Sequence, residues 1–196
     1  LLVTGNNIEE IDQIKSSLHQ KFTIKDLGNL KYFLGIEVLR TDEGIQLNQR
    51  KYILDLLADC TPAPFPLSKG LHLSTKDVPK LPDPEVYRRI IGKLLYLNLT
   101  RPDISYAVQQ LSQVLQEPAQ PHYDAALHVL KYLKGTLNVG LFYKANTPIQ
   151  LTAYSDADWG TCSFSAKSLS GYAIFLGSSL VSWKTKKQKT VSKSSA

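Results

Sequence analysis

The sequence predicts an α+β fold, and three observations carry that prediction. Apolar residues recur at helical spacing over five stretches before residue 137, and beyond it the period switches to two. Between them, from Cys60 to Pro84, periodicity vanishes and six of the ten prolines are concentrated. With 196 residues, 43% of them apolar and 20% charged, the chain can bury a real core in one or two domains. Gly 11 and Pro 10 place it outside the disordered and collagenous classes.

The opening Leu1-Leu2-Val3-Thr4-Gly5 reads as the end of a buried strand cut off by glycine. Asn7 with Glu10 three positions on resembles a helix N-terminal box, and Ile8, Ile11, Ile14 (or Lys15) and Leu18 follow at helical spacing, predicting a helix over 8–20. Tyr32, Phe33, Ile36 and Val38 mix aromatic and β-branched types, Thr41-Asp42-Glu43-Gly44 is turn chemistry, and Ile45-Gln46-Leu47 alternates again, so residues 31–47 read as a β-hairpin. From Gln49 to Asp59, Tyr52, Ile53, Leu56 and Leu57 share one helical face. The proline-dense stretch reads as an extended, partly polyproline linker, because proline denies helix and inner strand their hydrogen bonds.

Three helical patterns follow: Tyr87, Ile90, Ile91, Leu94 and Leu95; then Ile104, Ala107, Val108, Leu111 and Leu115 behind Pro102-Asp103; then Tyr123, Ala126, Leu127, Leu130 and Leu133 behind Pro121. Gly135 is the candidate C-cap of the last. Stretches 140–143, 149–155, 171–176 and 180–183 read as successive antiparallel strands, with Gly177-Ser178-Ser179 as a turn. The closing Ser194-Ser195-Ala196 suits a helix start.

The net charge of +6 is unevenly placed: residues 182–196 hold five lysines and no acid, leaving 18 basic against 17 acidic groups in the rest. The basicity is a tail rather than a coat. Cys60 and Cys162 stand 102 positions apart with no Cys or His at metal-ligand spacing, so both read as small hydrophobes. No apolar run approaches the roughly 18 to 20 residues of a membrane span and no leader pattern opens the chain, so a soluble, intracellular protein without a membrane partner is expected. Methionine is absent throughout, so the sequence reads as part of a longer frame.

Asp156 and Asp158, at the end of strand 149–155, are the candidate chemistry. A carboxylate at a strand end can bind a hard cation such as Mg²⁺, while a loop aspartate more often forms a turn by accepting backbone N–H bonds. Trp183, Lys184, Lys186, Lys187 and Lys189 are candidate nucleic-acid contacts, and lysine on an edge strand equally serves to block unwanted sheet pairing. His122 and His128, six residues apart on a helix, lie on different faces and suit surface or cap roles. Arg88, Arg89 and Arg101 near helix ends can reach phosphates, and Arg101 is equally suited to a local salt bridge or to the last carbonyls of the preceding helix. No phosphate-binding glycine loop, nucleophile elbow or Cys/His dyad is present.

A long, ordered set of motifs then resembles the polymerase polyprotein of copia-type LTR retrotransposons. Tyr87-Arg88-Arg89, Ile91-Gly92-Lys93-Leu94-Leu95-Tyr96-Leu97, Thr100-Arg101-Pro102-Asp103-Ile104-Ser105-Tyr106-Ala107-Val108 and Leu130-Lys131-Tyr132-Leu133-Lys134-Gly135-Thr136 are similar to its connection region. Phe22-Thr23-Ile24-Lys25-Asp26-Leu27-Gly28 and Tyr32-Phe33-Leu34-Gly35-Ile36-Glu37-Val38 resemble the palm, and 49–59 resembles the start of the thumb. Ser155-Asp156-Ala157-Asp158-Trp159, Ser170-Gly171-Tyr172, Ser182-Trp183-Lys184 and Lys187-Gln188-Lys189-Thr190-Val191 resemble the beginning of its ribonuclease H domain.

The resemblance implies four regions: the end of the palm and the start of the thumb over 1–59, a proline-rich linker over 60–84, a helical connection over 85–136, and an incomplete antiparallel or mixed ribonuclease H-like sheet over 137–196. It implies a parent that performs RNA-directed DNA synthesis and cleaves the RNA of RNA–DNA hybrids with Mg²⁺. The family's Tyr-x-Asp-Asp turn would stand immediately before Leu1, and its ribonuclease H glutamate just after Ala196. Asp156 alone matches the carboxylate set, as catalytic and metal-binding residue. The chain itself is therefore expected to be catalytically incompetent and not to hold Mg²⁺ stably. Its expected partners are an RNA–DNA hybrid or other nucleic acid and the rest of the polyprotein. The alternative readings are a non-enzymatic nucleic-acid-binding remnant and an expressed fragment without function.

Overall fold

The computed structural model describes residues 1–57, 61–67, 78–158 and 167–191. Cys60, Trp159, Cys162, Lys193 and the closing Ser194-Ser195-Ala196 lie outside them. The fold is α+β, with five α-helices and two antiparallel sheets among the described residues. None of those helices is long and apolar enough to cross a membrane.

Helix α1 (Ile8–Phe22) starts where Asn7 accepts hydrogen bonds from the backbone N–H of Glu9 and Glu10 at 3.0 and 3.4 Å, satisfying two donors that the first turn leaves orphaned. It stops at Thr23, whose φ of 43° is left-handed. None of its residues is buried, so the Ile8, Ile14 and Phe22 stripe stays at the surface. Residues 1–5 form no strand.

The hairpin predicted over 31–47 is present as β1 (Tyr32–Phe33), β2 (Ile36–Thr41) and β3 (Gly44–Asn48). A fourth strand, β4 (Leu141–Lys144), joins it beside β3, pairing Gly44 with Lys144 and Leu47 with Leu141. Sequence alternation groups this segment with the strands after it; its partner instead lies almost a hundred residues earlier. Two glycines permit the approach. A Cβ on Gly44, at φ 154°, would collide with the carbonyl oxygen of Tyr143, and one on Gly140 with that of Leu47.

Helix α2 (Arg50–Leu56) falls within the predicted 49–59, of which 58 and 59 lie outside the described residues, and it ends with Leu57 as its cap; Glu37 of β2 accepts its Lys51 N–H at 2.7 Å. The described parts of the proline-rich stretch are docked, not free. Ala63 N–H donates to Lys131 O at 3.1 Å, and Leu81 N–H to Pro118 O at 2.9 Å. Helix α3 (Pro84–Leu97) opens with Asp83 capping Glu85 N–H and proline in its first turn. The second predicted connection helix is a short α4 (Ser105–Leu111) between two 3₁₀ turns, Pro102–Ile104 and Ser112–Val114.

Helix α5 (Gln120–Gly135) ends one residue later than its glycine predicts, because Gly135 is still helical and Thr136 is the cap. Gly135 serves packing instead: a Cβ there would press to 3.3 Å from Pro62. His122 is fully buried rather than on the helix surface, and its Nδ1 accepts the Ala119 N–H at 2.9 Å, a side-chain cap. The core is the meeting of these helices, with Ile91 and Leu94 of α3, Val108 of α4 and Val129 of α5 fully buried beside Ile53 of α2. Tyr87 joins them and donates its hydroxyl to Leu111 O at 2.7 Å; burial pushes this phenol far above its usual titration range.

Among the described residues Arg101 is the largest wholly buried side chain. It pairs bidentately with Asp103 (Nε to Oδ1 2.9 Å, Nη2 to Oδ2 2.6 Å) and donates to the carbonyl and hydroxyl oxygens of Thr136 at 3.0 and 2.7 Å. Tyr132 donates its hydroxyl to Asp103 Oδ2 at 2.8 Å, and its ring lies 5.6 Å from the guanidinium. The helix end that Arg101 satisfies is thus that of α5, not of the preceding α3, and its burial removes it from any phosphate.

The second sheet is a meander of β5 (Leu151–Ala157), β6 (Leu169–Leu176) and β7 (Ser179–Lys187), in that order. Its last turn is tied to the first sheet by Lys144 N–H donating to Ser179 Oγ at 3.0 Å. Its β7 edge meets α4, where Lys187 Nζ donates to Gln113 Oε1 at 2.8 Å just past the helix.

Two outcomes follow for the Arg101 pair. Arg101→Met is expected to cost about 3 to 5 kcal/mol in urea unfolding, because it strands the partly covered Asp103, whereas Thr136→Val should cost about 1 to 2 kcal/mol. Burial pushes the Asp103 carboxyl up, but hydrogen bonds and charge from Arg101, with Tyr132, bring it below its ordinary 3.8. Its contribution is therefore fully present above pH 3.8 and is lost as pH falls through the lower folded value. The acid limb of the urea midpoint against pH should flatten in Asp103→Asn.

Candidate nucleic-acid interface and the Asp156 carboxylate

Asp156 is the penultimate residue of β5, opposite Gly171 of β6 and in line with Thr185 of β7. Because β5 is an edge strand, the exposed carboxylate sits at a sheet margin, and its Oδ1 accepts the Ala157 N–H at 2.9 Å. Asp158 is bonded to the backbone across the sheet. Its N–H donates to Leu169 O at 2.9 Å and its Oδ1 accepts the Leu169 N–H at 2.5 Å, closing the sheet where β6 begins.

Two-metal hydrolysis needs several carboxylates converging on hard cations. Beyond Asp124 the sequence holds only these two acids, and among the described residues no three His, Cys, Asp or Glu side chains gather. With Asp158 committed to backbone, the donor set around Asp156 does not fit a two-Mg²⁺ site.

The lysines divide by strand periodicity. Lys184 and Lys186 are exposed on one face of β7, opposite Tyr172 and Ser170 of β6. Lys187 points to the other face, half-buried, where it reaches Gln113. Lys189 lies past the strand end and is exposed. Trp183 shares the Lys187 face, half-buried, and lines a cleft of about 380 Å³ between β7 and the helices. The helical wall of that cleft is Asn98, Leu99, Ser105 and Gln109, and the strand wall is Val181 to Thr185.

The structure thus gathers Trp183 and Lys184 with Asn98, Ser105 and Gln109, which sequence reading passes over. No local signal marks those three; they stand some 75 to 85 positions before the strand and reach it only through the packing of α4 on β7. Arg88 is engaged, its Nε donating to Leu115 O at 3.0 Å and its Nη1 to Glu85 at 2.5 Å. Asp156 is on the far strand of the same sheet.

Residues 1–63 match the reverse transcriptase (RNA-dependent DNA polymerase) family. The whole chain is 44% identical to part of the retrovirus-related Pol polyprotein from transposon RE1 of Arabidopsis thaliana, of which it spans 14%. It is 40% identical to an uncharacterized mitochondrial protein of Arabidopsis thaliana, covering all of this chain and 83% of that protein. It is also 33% identical, over 97% of its length, to the Pol polyprotein from transposon TNT 1-94 of Nicotiana tabacum, of which it spans 15%. No solved structure matches. Matched end to end by transposon Pol polyproteins, and at its first third by reverse transcriptases, the chain belongs to the copia-type retrotransposon Pol polyprotein family, as a reverse transcriptase fragment.

Proposed function

We propose that this chain is the body of the polyprotein that joins its polymerase end to its ribonuclease H end, and that it holds an RNA–DNA hybrid without completing either catalytic centre by itself. Residues 1–59 supply the end of the palm and the start of the thumb, 60–84 the linker, 85–136 the connection, and 137–196 the incomplete ribonuclease H-like region, whose β5 to β7 are its sheet while its β4 pairs with the hairpin. The observation that carries this reading is the second sheet: a three-stranded antiparallel meander with an exposed carboxylate on its first strand and a basic third strand. An exposed acid at the end of β5 suits the first ligand of a hybrid-cleaving centre. The exposed Lys184, Lys186 and Lys189 suit phosphates.

Catalysis is a different matter. No Tyr-x-Asp-Asp occurs in the 196 residues, and Asp156 lacks carboxylates to share a metal with among the described residues. The rest of the polyprotein is the expected partner that would supply them.

Two measurements check this. The purified chain, given a labelled RNA–DNA hybrid and Mg²⁺, should bind it and leave it intact; Mg²⁺-dependent cleavage lost in Asp156→Ala would show that the chain does complete a centre. The logarithm of the affinity should fall steeply with the logarithm of salt, and Lys184→Ala and Lys186→Ala should each lower that slope by about 1. Lys187→Ala, which breaks the bond to Gln113, should lower thermal stability more than it lowers the slope.

A further inference from the structure

We infer that the cleft between the α3–α4 turn and β7 seats one stretch of nucleic-acid sugar–phosphate backbone, with the uncharged amides of Asn98 and Gln109 as its contacts beside Lys184; this rests on the hybrid-binding reading above. Ser105 and Gln109, four apart, share one face of α4, and Gln113 in its 3₁₀ extension reaches the same strand through its bond to Lys187. The Gln113 end is thereby spent. The other end opens as the cleft, where Ser105 and Gln109 face the Trp183–Thr185 stretch of β7.

The groups at that end are uncommitted donors. Asn98 uses its Oδ1 to accept the Ser105 hydroxyl at 3.5 Å, which leaves its Nδ2 without a partner among the described residues. The Gln109 side-chain amide and the Trp183 indole N–H likewise form no hydrogen bond there. Among the described residues no Asp or Glu lines the cleft, and Lys184, whose side chain is exposed at its margin, is its one charged lining residue. A wall of amide and indole donors with a lysine and no carboxylate repels nothing anionic and satisfies ligands rich in acceptor oxygens. A backbone phosphate is such a ligand, and the Trp183 ring offers an adjoining base a surface to stack on. An acidic peptide shares the charge but has no base to place on the indole.

The position is also stiff. Asn98 caps α3 three residues before the buried Arg101, and Ser105 begins α4 two residues after Asp103. Both cleft residues are therefore held by the ion pair between them, so little ordering entropy is lost on binding.

The test uses the full chain carrying Trp159→Phe, which leaves Trp183 as the one remaining tryptophan. Titration with an RNA–DNA hybrid should change Trp183 fluorescence saturably. Adding Asn98→Ala and Gln109→Ala together should weaken binding about tenfold with the salt slope unchanged, whereas Lys184→Ala lowers the slope. Gln109→Glu, nearly isosteric and so expected to fold, should weaken binding more than Gln109→Ala by placing a carboxylate in the cleft. Steep salt-dependent binding that ignores Asn98, Gln109 and the Trp183 signal would overturn the cleft and leave the hybrid reading standing. An equal Trp183 response to polyglutamate would overturn the backbone assignment, and a parent chain with no salt-dependent binding would sink both readings.

Discussion

The turn from Asn98 to Ser105 is the fixed point of this molecule, and the buried Arg101 guanidinium is what fixes it. Burying a charge costs several kcal/mol unless it is paired and its donors are used. Here the carboxylate of Asp103 takes one side of the fork and Thr136, at the end of α5, takes the other. The same turn sends Thr100 Oγ1 to the buried Gln49 Oε1 at 2.8 Å, tying it to the start of α2. One short segment therefore sets the ends of α3 and α5, the start of α4 and the seat of α2. The direction of α4, and with it the face that meets β7, is a consequence.

The two sheets are placed by a different device. Strand β4 leaves the helical bundle and pairs with β3, so the chain after the connection returns to the hairpin that precedes it. From there Lys144 N–H reaches Ser179, and Ala145 N–H donates to Glu43 O at 2.8 Å. A strand that belongs by sequence to the C-terminal part thus belongs by hydrogen bonding to the N-terminal sheet. Besides β4, α4 and the Lys187–Gln113 bond also hold the meander to the helices.

What sequence reading recovers follows the range of the forces involved. Helix α1 with its Asn7 cap, the β2–β3 hairpin, α3 with its Asp83-Pro84 start, and β5 to β7 are all set by neighbours within a few residues, and all are legible. The β4 pairing is not, because alternation says that a segment is a strand and never names its partner. Gly135 misleads for a related reason: a glycine near a helix end suggests a left-handed cap, whereas here its missing side chain makes room for Pro62. The partner of Arg101 follows the same rule. Asp103, two residues away, can be read from the sequence, and Thr136, thirty-five away, cannot. The candidate site divides likewise, Asp156 and the β7 lysines being visible in sequence while Asn98 and Gln109 are brought to Trp183 and Lys184 by packing alone.

The lysine run shows why placement outweighs net charge. On a strand, neighbouring lysines point to opposite faces, so Lys184 and Lys186 face outward while Lys187 is drawn against the helices. A run that reads as one basic patch is therefore two things, an outward pair free for a polyanion and a strut that fastens the sheet to the bundle. The strut ties β7 to the 3₁₀ extension of α4, and the outward pair stays on the exposed face of the sheet. On the binding proposed above, affinity that scales with salt would come from the outward pair and register from uncharged groups held beside the strut, since ammonium groups on flexible stems attract without orienting. On that proposal a rigid donor wall with a basic margin positions a strand, and chemistry upon the strand needs carboxylates that the described residues do not bring together.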